Sequence, residues 1–459
     1  MGTLRVARLK PRAQPFEAAV AAFRGGRFAA CLGALAHHSS SDAIALAARS
    51  LIRLNRLNDA LTSLEAALQN VAELSHRERG QLQALSATTL ARLGRPFEAQ
   101  CALDEARAYV FSASCPDLEA EYYYFEAHAK VLNGETVGGG EACAKVLAPA
   151  VIVFGARPHF SPLAHARAGV FELLAAIAAS KRSYGVQQAY LRRSFEELDH
   201  CAVRDDWFRA TQLAHLAMLV RETGNRDDAN YVRARLDSSD WIEELAPQRY
   251  EVLRSLGWAS ALCGDHLGGL RDLRAAAEAA PSVPLKIEVS LDRTYLAREL
   301  RQELTAREEL DHAERLSESV HWENGSRQDC DVLLQLSEAV ASDNPIKARR
   351  LYRRYRVLRG RLRGHAGHFD DRARLDETTA DATICRAEGN LTRATLLFQQ
   401  AFELWKELGY NWRAALAAIE LAELGAGDEY AEFALAEAAR HPNSWFAQRA
   451  RALGSAALH

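Results

Sequence analysis

A small residue followed by apolar residues four and seven positions further on recurs along this chain, each time about five positions after a glycine or another turn residue. In the clearest copies Gly94 precedes Ala99, Leu103 and Ala106, and Gly389 precedes Ala394, Phe398 and Ala401. In a third, Gly264 and Gly269 precede Leu273, Ala276 and Pro281. Offsets of four and seven place three side chains on one face of an α-helix. The turn glycine ends one helix where a positive φ is needed, and the small residue lets the next helix approach it closely. The pattern therefore predicts helical hairpins. Weaker copies put the small residue at Ala30, Ala60, Ala189, Ala229, Ala306, Ala348 and Ala431, with a blurred unit from Gly134 to Ala144. Roughly ten or eleven such units span nearly all of the 459 residues.

The order of turn glycine, small residue, apolar or aromatic residue, alanine and closing proline, most complete from Gly264 to Pro281, resembles the second half of the tetratricopeptide repeat (TPR). The resemblance implies an all-α fold, an α-solenoid built as a right-handed superhelix of TPR-like helical hairpins. Anchors at 60, 99, 189, 229, 269, 306, 348 and 394 lie mostly 37 to 46 residues apart. A period of about 40 rather than about 34 residues implies longer helices. In this it is similar to the long-repeat sensor domains of bacterial LuxR and maltose-type transcription activators, and to the peptide-sensing regulators of Gram-positive quorum systems.

The rhythm breaks between Asn133 and Pro162, where Gly138, Gly139, Gly140, Pro149 and Pro158 cluster. This predicts N-terminal repeats over 12–135, an irregular loop or joint over 136–162, and C-terminal repeats over 163–459. A second break, Gly360 to His368, predicts a loop between helices.

Composition alters this picture little. With 48% hydrophobic and 25% charged residues the chain is expected to pack rather than to be disordered. A formal net charge of -3 gives no global attraction to nucleic acid or to an anionic membrane. Seven lysines against fifty arginines, with abundant alanine, suggest a GC-rich bacterial genome. Eight widely spaced cysteines without a C-x-x-C pair fit a reducing cytoplasm better than a zinc module or a disulfide framework. No signal-peptide core and no long apolar run is present, which predicts a cytoplasmic protein.

Candidate chemistry is sparse. The stretch from Leu304 to Leu310 looks like the opening of the helix-turn-helix of the quorum-type activators, but the residues after it lack that motif's turn and recognition helix, and Ala306 fits the repeat register. His365, His368, Asp370 and Asp371 lack the fixed spacing of a metal site, and His37, His38, His200 and Cys201 are weaker still, so no metal and no cofactor is expected. No nucleophile elbow, phosphate loop or dinucleotide fingerprint occurs, so the expectation is a protein that is not an enzyme. From Arg349 to Arg363 eight arginines fall in fifteen residues, with Arg349, Arg350, Arg353, Arg354 and Arg356 on the outer face of a helix as a candidate for an anionic partner. The competing reading is a solvated face neutralised by acids such as Asp370, Asp371, Asp376 and Glu377.

The resemblance also implies a concave wall lined by the first helix of each hairpin. Counting back from each turn on the TPR register gives the inner pairs Arg49 with Ala45, Thr88 with Ala84, His128 with Tyr124, Met218 with Ala214, Trp258 with Arg254, Tyr295 with Leu291, and Thr383 with Thr379, followed one turn on by Arg221, Arg298 and Arg386. The Lys and Asn pairs with which chaperone-binding TPRs clamp a C-terminal carboxylate are missing there. What remains is a set of interaction-prone residue types, Tyr124, His128, Arg221, Arg254, Trp258, Tyr295 and Arg298, which are the partner-binding candidates. Packing between hairpins is the alternative role for Trp258 and Tyr295. The expected function is a non-enzymatic scaffold or regulatory protein that binds a peptide or protein partner in its concave groove. Three alternatives stay open: a sensor with a small-molecule or signal-peptide pocket, an enzyme acting on a bound protein, and nucleic-acid binding through Arg349 to Arg363.

Overall fold

The computed structural model describes residues 15–69, 74–113, 115–132, 134–147, 162–180, 183–199, 205–239, 241–322, 326–362 and 371–456. Among them every regular element is helical. Eleven pairs of consecutive α-helices and one final helix follow in chain order. They are α1 (Pro15–Arg24) with α2 (Phe28–Leu35), α3 (Ser41–Arg53) with α4 (Leu57–Gln69), α5 (His76–Arg92) with α6 (Pro96–Ser112), α7 (Pro116–Leu132) with α8 (Thr136–Leu147), and α9 (Pro162–Ser180) with α10 (Tyr184–Asp199). Next come α11 (Asp206–Thr223) with α12 (Arg226–Asp237), α13 (Ala246–Leu262) with α14 (His266–Ala279), and α15 (Val283–Glu299) with α16 (Glu303–Glu318). The last are α17 (Arg327–Val340) with α18 (Pro345–Leu362), α19 (Asp371–Ala387) with α20 (Leu391–Glu407), α21 (Asn411–Glu423) with α22 (Asp428–Arg440), and the unpaired α23 (Trp445–Ala456). The fold is an all-α solenoid of helical hairpins.

The turn chemistry repeats. At the end of α13, Gly264 takes φ 89°, its N–H donates to the Ala261 carbonyl at 3.1 Å, and the Asp265 N–H donates to the Ser260 carbonyl at 2.9 Å. This closes the helix with a left-handed residue and satisfies carbonyls that would otherwise be orphaned. The Asp265 carboxylate then accepts from the Gly268 N–H at 2.9 Å and starts α14. Gly389 and Asn390 do the same between α19 and α20, with Asn390 accepting from the Arg393 N–H. Asn55 and Arg301 occupy the left-handed position without being glycine, each at φ 57°.

Five positions after these turns the chain is buried. Ala60, Ala99, Ala348 and Ala394 are fully inaccessible, Ala306 almost so, and Ala229 is buried. At Gly269 a Cβ would sit 2.7 Å from the Gly257 carbonyl, so α13 and α14 meet backbone to backbone and only glycine fits. Four of the weaker anchors are corrected. Ala30 is exposed and its neighbour Cys31, five positions after Gly26, is the buried residue. Ala189 is exposed, because α10 packs on α9 through Leu191 and Phe195 and through Ser194, whose hydroxyl donates to the Ala168 carbonyl at 2.8 Å. Ala431 is half-buried and Ala434 takes the inaccessible place, while Ala144 is exposed beside buried Ala142 and Cys143.

The expected loop over 136–162 is also corrected over its first half. Gly138, Gly139 and Gly140 lie inside α8, where a Cβ on Gly139 would come within 2.7 Å of the Val131 side chain, so the glycine allows α8 to close on α7. Residues 148–161, with Pro149 and Pro158, lie outside the described residues. Of the second expected loop, Gly360 belongs to the last turn of α18, and 363–370, including Arg363, His365, His368 and Asp370, lie outside the described residues. His200 and Cys201 do as well.

The chain forms two compact units, Met1–Gln212 and Leu213–His459, so the division falls within α11. In the first, buried Leu64, Leu82, Leu85, Leu103 and Val110 join α4, α5 and α6 into one core, while Cys143, Val146 and Val170 carry the core on from α8 to α9. In the second, Ile287, Leu310, Leu333, Tyr355 and Ile384 join α15 to α19. No helix among the described residues is long and apolar enough to cross a membrane.

Two substitutions of opposite sign test the hairpin chemistry by thermal or denaturant unfolding. Ala394→Leu should cost about 1–3 kcal/mol by overpacking the fully closed contact between α19 and α20. Arg301→Gly should gain about 1 kcal/mol by relieving a left-handed non-glycine residue.

Candidate functional site

The partner-binding candidates fall into two sets, one in each unit. Tyr124 and His128 line a cavity of about 120 Å³ in the first unit. Arg221, Arg254, Trp258, Tyr295 and Arg298 line a cavity of about 690 Å³ in the second. Of the other inner positions, Arg49 and Thr88 line the smaller cavity and Leu291, Thr379, Thr383 and Arg386 the larger, while Ala45, Ala84, Ala214 and Met218 line neither.

In the first unit α3 supplies Arg49 and Arg53, α5 supplies Thr88 and Arg92, and α7 supplies Glu121, Tyr124 and His128. Arg49 pairs with Glu121, which also accepts from the Gln81 amide at 3.4 Å. The Tyr124 and His128 rings stack 6.1 Å apart at 16°. Gly169 on α9 makes room for Tyr124, since a Cβ there would stand 2.5 Å from the ring. Burial, then the nearby Arg92 charge, holds the His128 imidazole down to about 4, so it is neutral at physiological pH.

The second cavity has a floor that the repeat register alone does not provide. Trp258 on α13 and Tyr295 on α15 lie 5.8 Å apart, and Trp412 on α21 stacks on Trp258 at 6.3 Å and 25°. Trp445, the first residue of α23, packs edge-on to Tyr295 at 5.3 Å and to Trp412 at 6.2 Å. Asn443 seats just ahead of it against Gly264, where a Cβ would be 2.5 Å away. The last helices of this unit therefore return to its early ones, and the inner wall there is a partly open cavity. Trp412, Arg413 and Arg449 are cavity residues that repeat counting missed, because α21 and α23 enter by long-range packing. The only sequence signal is the presence of tryptophans next to the turns before those helices.

Charge on this cavity is nearly balanced, with seven carboxylates and six guanidiniums on its walls. The guanidiniums are engaged. Arg254 donates to Glu288 at 2.6 Å and to Asp292 at 3.2 Å, while the Tyr250 hydroxyl donates to Glu288 at 2.8 Å. Burial works against the Arg254 charge, but the two carboxylates outweigh it and hold the group protonated. Arg221 meets Glu222 at 3.1 Å and Glu251 at 3.5 Å, and Arg298 meets Asp343 at 3.0 Å and the Ala339 carbonyl at 2.7 Å. Arg413 lies 3.4 Å from Glu222, with its guanidinium 4.7 Å from the Trp412 ring. Arg386 pairs with Glu420 and Glu423, and Arg449 reaches Glu299 at 3.3 Å and Glu420 at 2.8 Å.

Glu338 differs from the other acids. It lines the cavity from α17 and forms no ion pair among the described residues. Desolvation, helped by Asp376 and opposed by Arg413 and the Thr383 hydroxyl, lifts its carboxyl to about 7. The Trp412 indole N–H, on a side chain only 5% exposed, is also without a hydrogen-bond partner.

The arginine-rich helix α18 is split by its surroundings. Arg349 is held by Asp381 and Glu388, its Nη2 lying 2.6 Å from Glu388, and it is not a free cation. Arg359 is buried and paired with Glu377. Arg350, Arg353, Arg354 and Arg356 are exposed, and Tyr352, Tyr355 and Leu358 face the core. The stretch from Leu304 to Leu310 is part of α16 and packs on α15 as the second helix of a hairpin. Among the described residues no cluster of His, Cys, Asp or Glu could hold a metal ion.

Recurrent left-handed turns, buried small anchors and paired helices define a TPR-like helical-repeat protein. No protein-family model matches the chain, and no curated protein matches its sequence. Among solved structures, the apo form of the quorum sensor NprR from B. thuringiensis is similar over 88% of this chain and 98% of that one, at 10% identity and a TM-score of 0.45. The Rap protein complexed with Competence and Sporulation Factor is similar over 78% and 99%, at 13% identity and a TM-score of 0.39. Yeast Tom70 is similar over 97% and 95%, at 12% identity and a TM-score of 0.31.

Arg254→Ala should cost about 3–5 kcal/mol, because it leaves Glu288 and Asp292 buried without their cation. Unfolding curves of the purified variant check this. A melting point equal to that of the unsubstituted protein would refute the buried triad.

Proposed function

We propose that this is a non-enzymatic regulatory protein whose second unit takes up a short peptide or small ligand bearing an aromatic group and a positive charge. The observation that carries this reading is the 690 Å³ cavity bounded on one side by the unit's own α21 and α23. Its size is that of a small-molecule or short-peptide site, and a folded partner would not enter it. Trp258, Tyr295 and Trp412 put aromatic surface on its wall, against which an aromatic group gains dispersion and area burial. With the guanidiniums already matched by protein carboxylates, the wall group left to meet a ligand charge is Glu338. A cation beside it would draw off its proton and form a charge-assisted hydrogen bond in a site of low dielectric.

A second reading rests on α18, whose exposed Arg350, Arg353, Arg354 and Arg356 make a cationic face suited to an acidic protein surface or to nucleic acid. Its signature is an affinity that falls steeply with salt and is lost when these four residues are changed to Gln.

The test of the first reading is native mass spectrometry of the full chain, followed by calorimetric titration with short peptides carrying an arginine beside an aromatic residue. Binding lost in Trp258→Ala and at least tenfold weaker in Glu338→Gln is the expected outcome. Equal affinity in both variants would sink it. Trp445→Ala should loosen α23, cost about 3–5 kcal/mol by removing a fully buried indole, and abolish uptake, which hydrogen exchange over α23 would follow.

Without ligand, Glu338 sets a pH dependence of known sign. Its folded-state carboxyl titrates near 7 rather than at the 4.5 of a free glutamate, so the folded protein binds the proton more tightly. Stability from this group is present below about pH 4.5 and is lost as the pH rises to about 7. Glu338→Gln should remove that slope and raise the melting temperature at pH 8 relative to the unsubstituted protein.

A further inference from the structure

We propose that the smaller cavity, in the Met1–Gln212 unit, is an anion site that holds a phosphate or carboxylate group between the guanidiniums of Arg53 and Arg92. The two arginines come from α3 and α5 and line the same cavity. The Arg53 guanidinium sits over the Trp207 ring, 4.0 Å from its centroid, a contact that holds it in place without using its N–H donors. Among the described residues neither Arg53 nor Arg92 forms an ion pair. The carboxylates that line the cavity are engaged, Glu121 by Arg49 and Gln81 and Asp205 by the Phe208 N–H at 2.9 Å, while Glu172 acts on Arg92 without an ion pair to it. Both arginines are exposed, so a ligand can reach them from solvent.

The electrostatics agree with the geometry. Burial first, then the Arg53 charge, depresses the Arg92 guanidinium, and Arg49 is depressed to about 10 mainly by burial, with Arg53 adding to it. His128 feels burial first and then Arg92, with Arg53 acting in the same direction and Glu172 against it. Arg49, Arg53 and Arg92 line the cavity of about 120 Å³ against the carboxylates of Glu121 and Asp205 and a neutral imidazole, a surplus of one positive charge that an oxyanion would relieve. Guanidinium forks meet such oxygens with paired hydrogen bonds. Arg53 and Arg92 repel each other without an ion pair of their own, which lowers the stability of the empty protein and marks a residue pair serving a ligand rather than the fold.

The experiment titrates the full chain with inorganic phosphate and with benzoate at constant ionic strength, by calorimetry and by thermal melting. Saturable binding of one or both is expected, at least tenfold weaker in the Arg53→Gln, Arg92→Gln double variant, whose unliganded melting temperature is equal or higher. Preference for phosphate or for benzoate assigns the oxyanion class. No binding of either probe, or equal binding by the double variant, overturns the proposal. If the double variant fails to fold, the NMR titration of His128 in the unsubstituted protein decides. Its imidazole titrates near 4 when empty and should move upward by at least half a unit with a bound anion. An unchanged titration at saturating probe overturns the proposal equally.

Discussion

The burial of Trp445 against Trp258, Tyr295 and Trp412 is the interaction on which the second unit depends. A row of helical hairpins has contacts only between neighbours and exposes a long inner wall. Here the final helix returns to that wall. Its indole is 2% exposed, and aromatic pairs at such distances gain from edge-to-face geometry beyond the area they bury. One consequence is stability that is no longer the sum of neighbouring pairs, since α23 couples α13, α15 and α21 directly. The other is that part of the inner wall becomes a partly open cavity.

The abundance of arginine over lysine has a structural expression in both units. Arg254 links α13 to α15, Arg298 links α15 to α17, and Arg386 links α19 to α21, each bridging the first helices of successive hairpins. Arg49 reaches from α3 to α7 in the same manner. A planar guanidinium with five donors can satisfy two acceptors on a neighbouring helix at once, which an ammonium on a flexible stem does less well. Wherever these bridges are complete, the inner wall carries charge without offering it to a ligand. Where they are incomplete, at Glu338 in one unit and at Arg53 and Arg92 in the other, the wall keeps chemical capacity.

The hairpin register was legible at its clearest turns, where a left-handed glycine stands five positions before a small residue. Gly94, Gly264 and Gly389 each announce a small residue five positions on, and Ala99, Gly269 and Ala394 are the points of closest helix contact. It slipped by one residue at Ala30 and further at Ala189, where no described left-handed glycine opens α10 and the crossing is made by Ser194 instead. The run of three glycines in α8 reads locally as a helix breaker. It is kept helical because the missing side chain at Gly139 is filled by Val131 from α7. A local propensity was overruled by a tertiary contact worth more than the entropy it costs.

The sequence by itself determined the class of fold, since period, turn chemistry and small anchors are all local and all agree. Only the tertiary structure decided that Tyr124 and His128 belong to one cavity and Trp258 and Tyr295 to another, that Arg254 and Arg349 spend their charge on the protein, and that Trp412, Arg413 and Arg449 line the larger cavity. The physical reason is separation along the chain. Glu222 and Arg413, or Glu299 and Arg449, are brought together across more than a hundred residues by the packing of helices, and a short-range pattern carries no record of which distant charge will meet which.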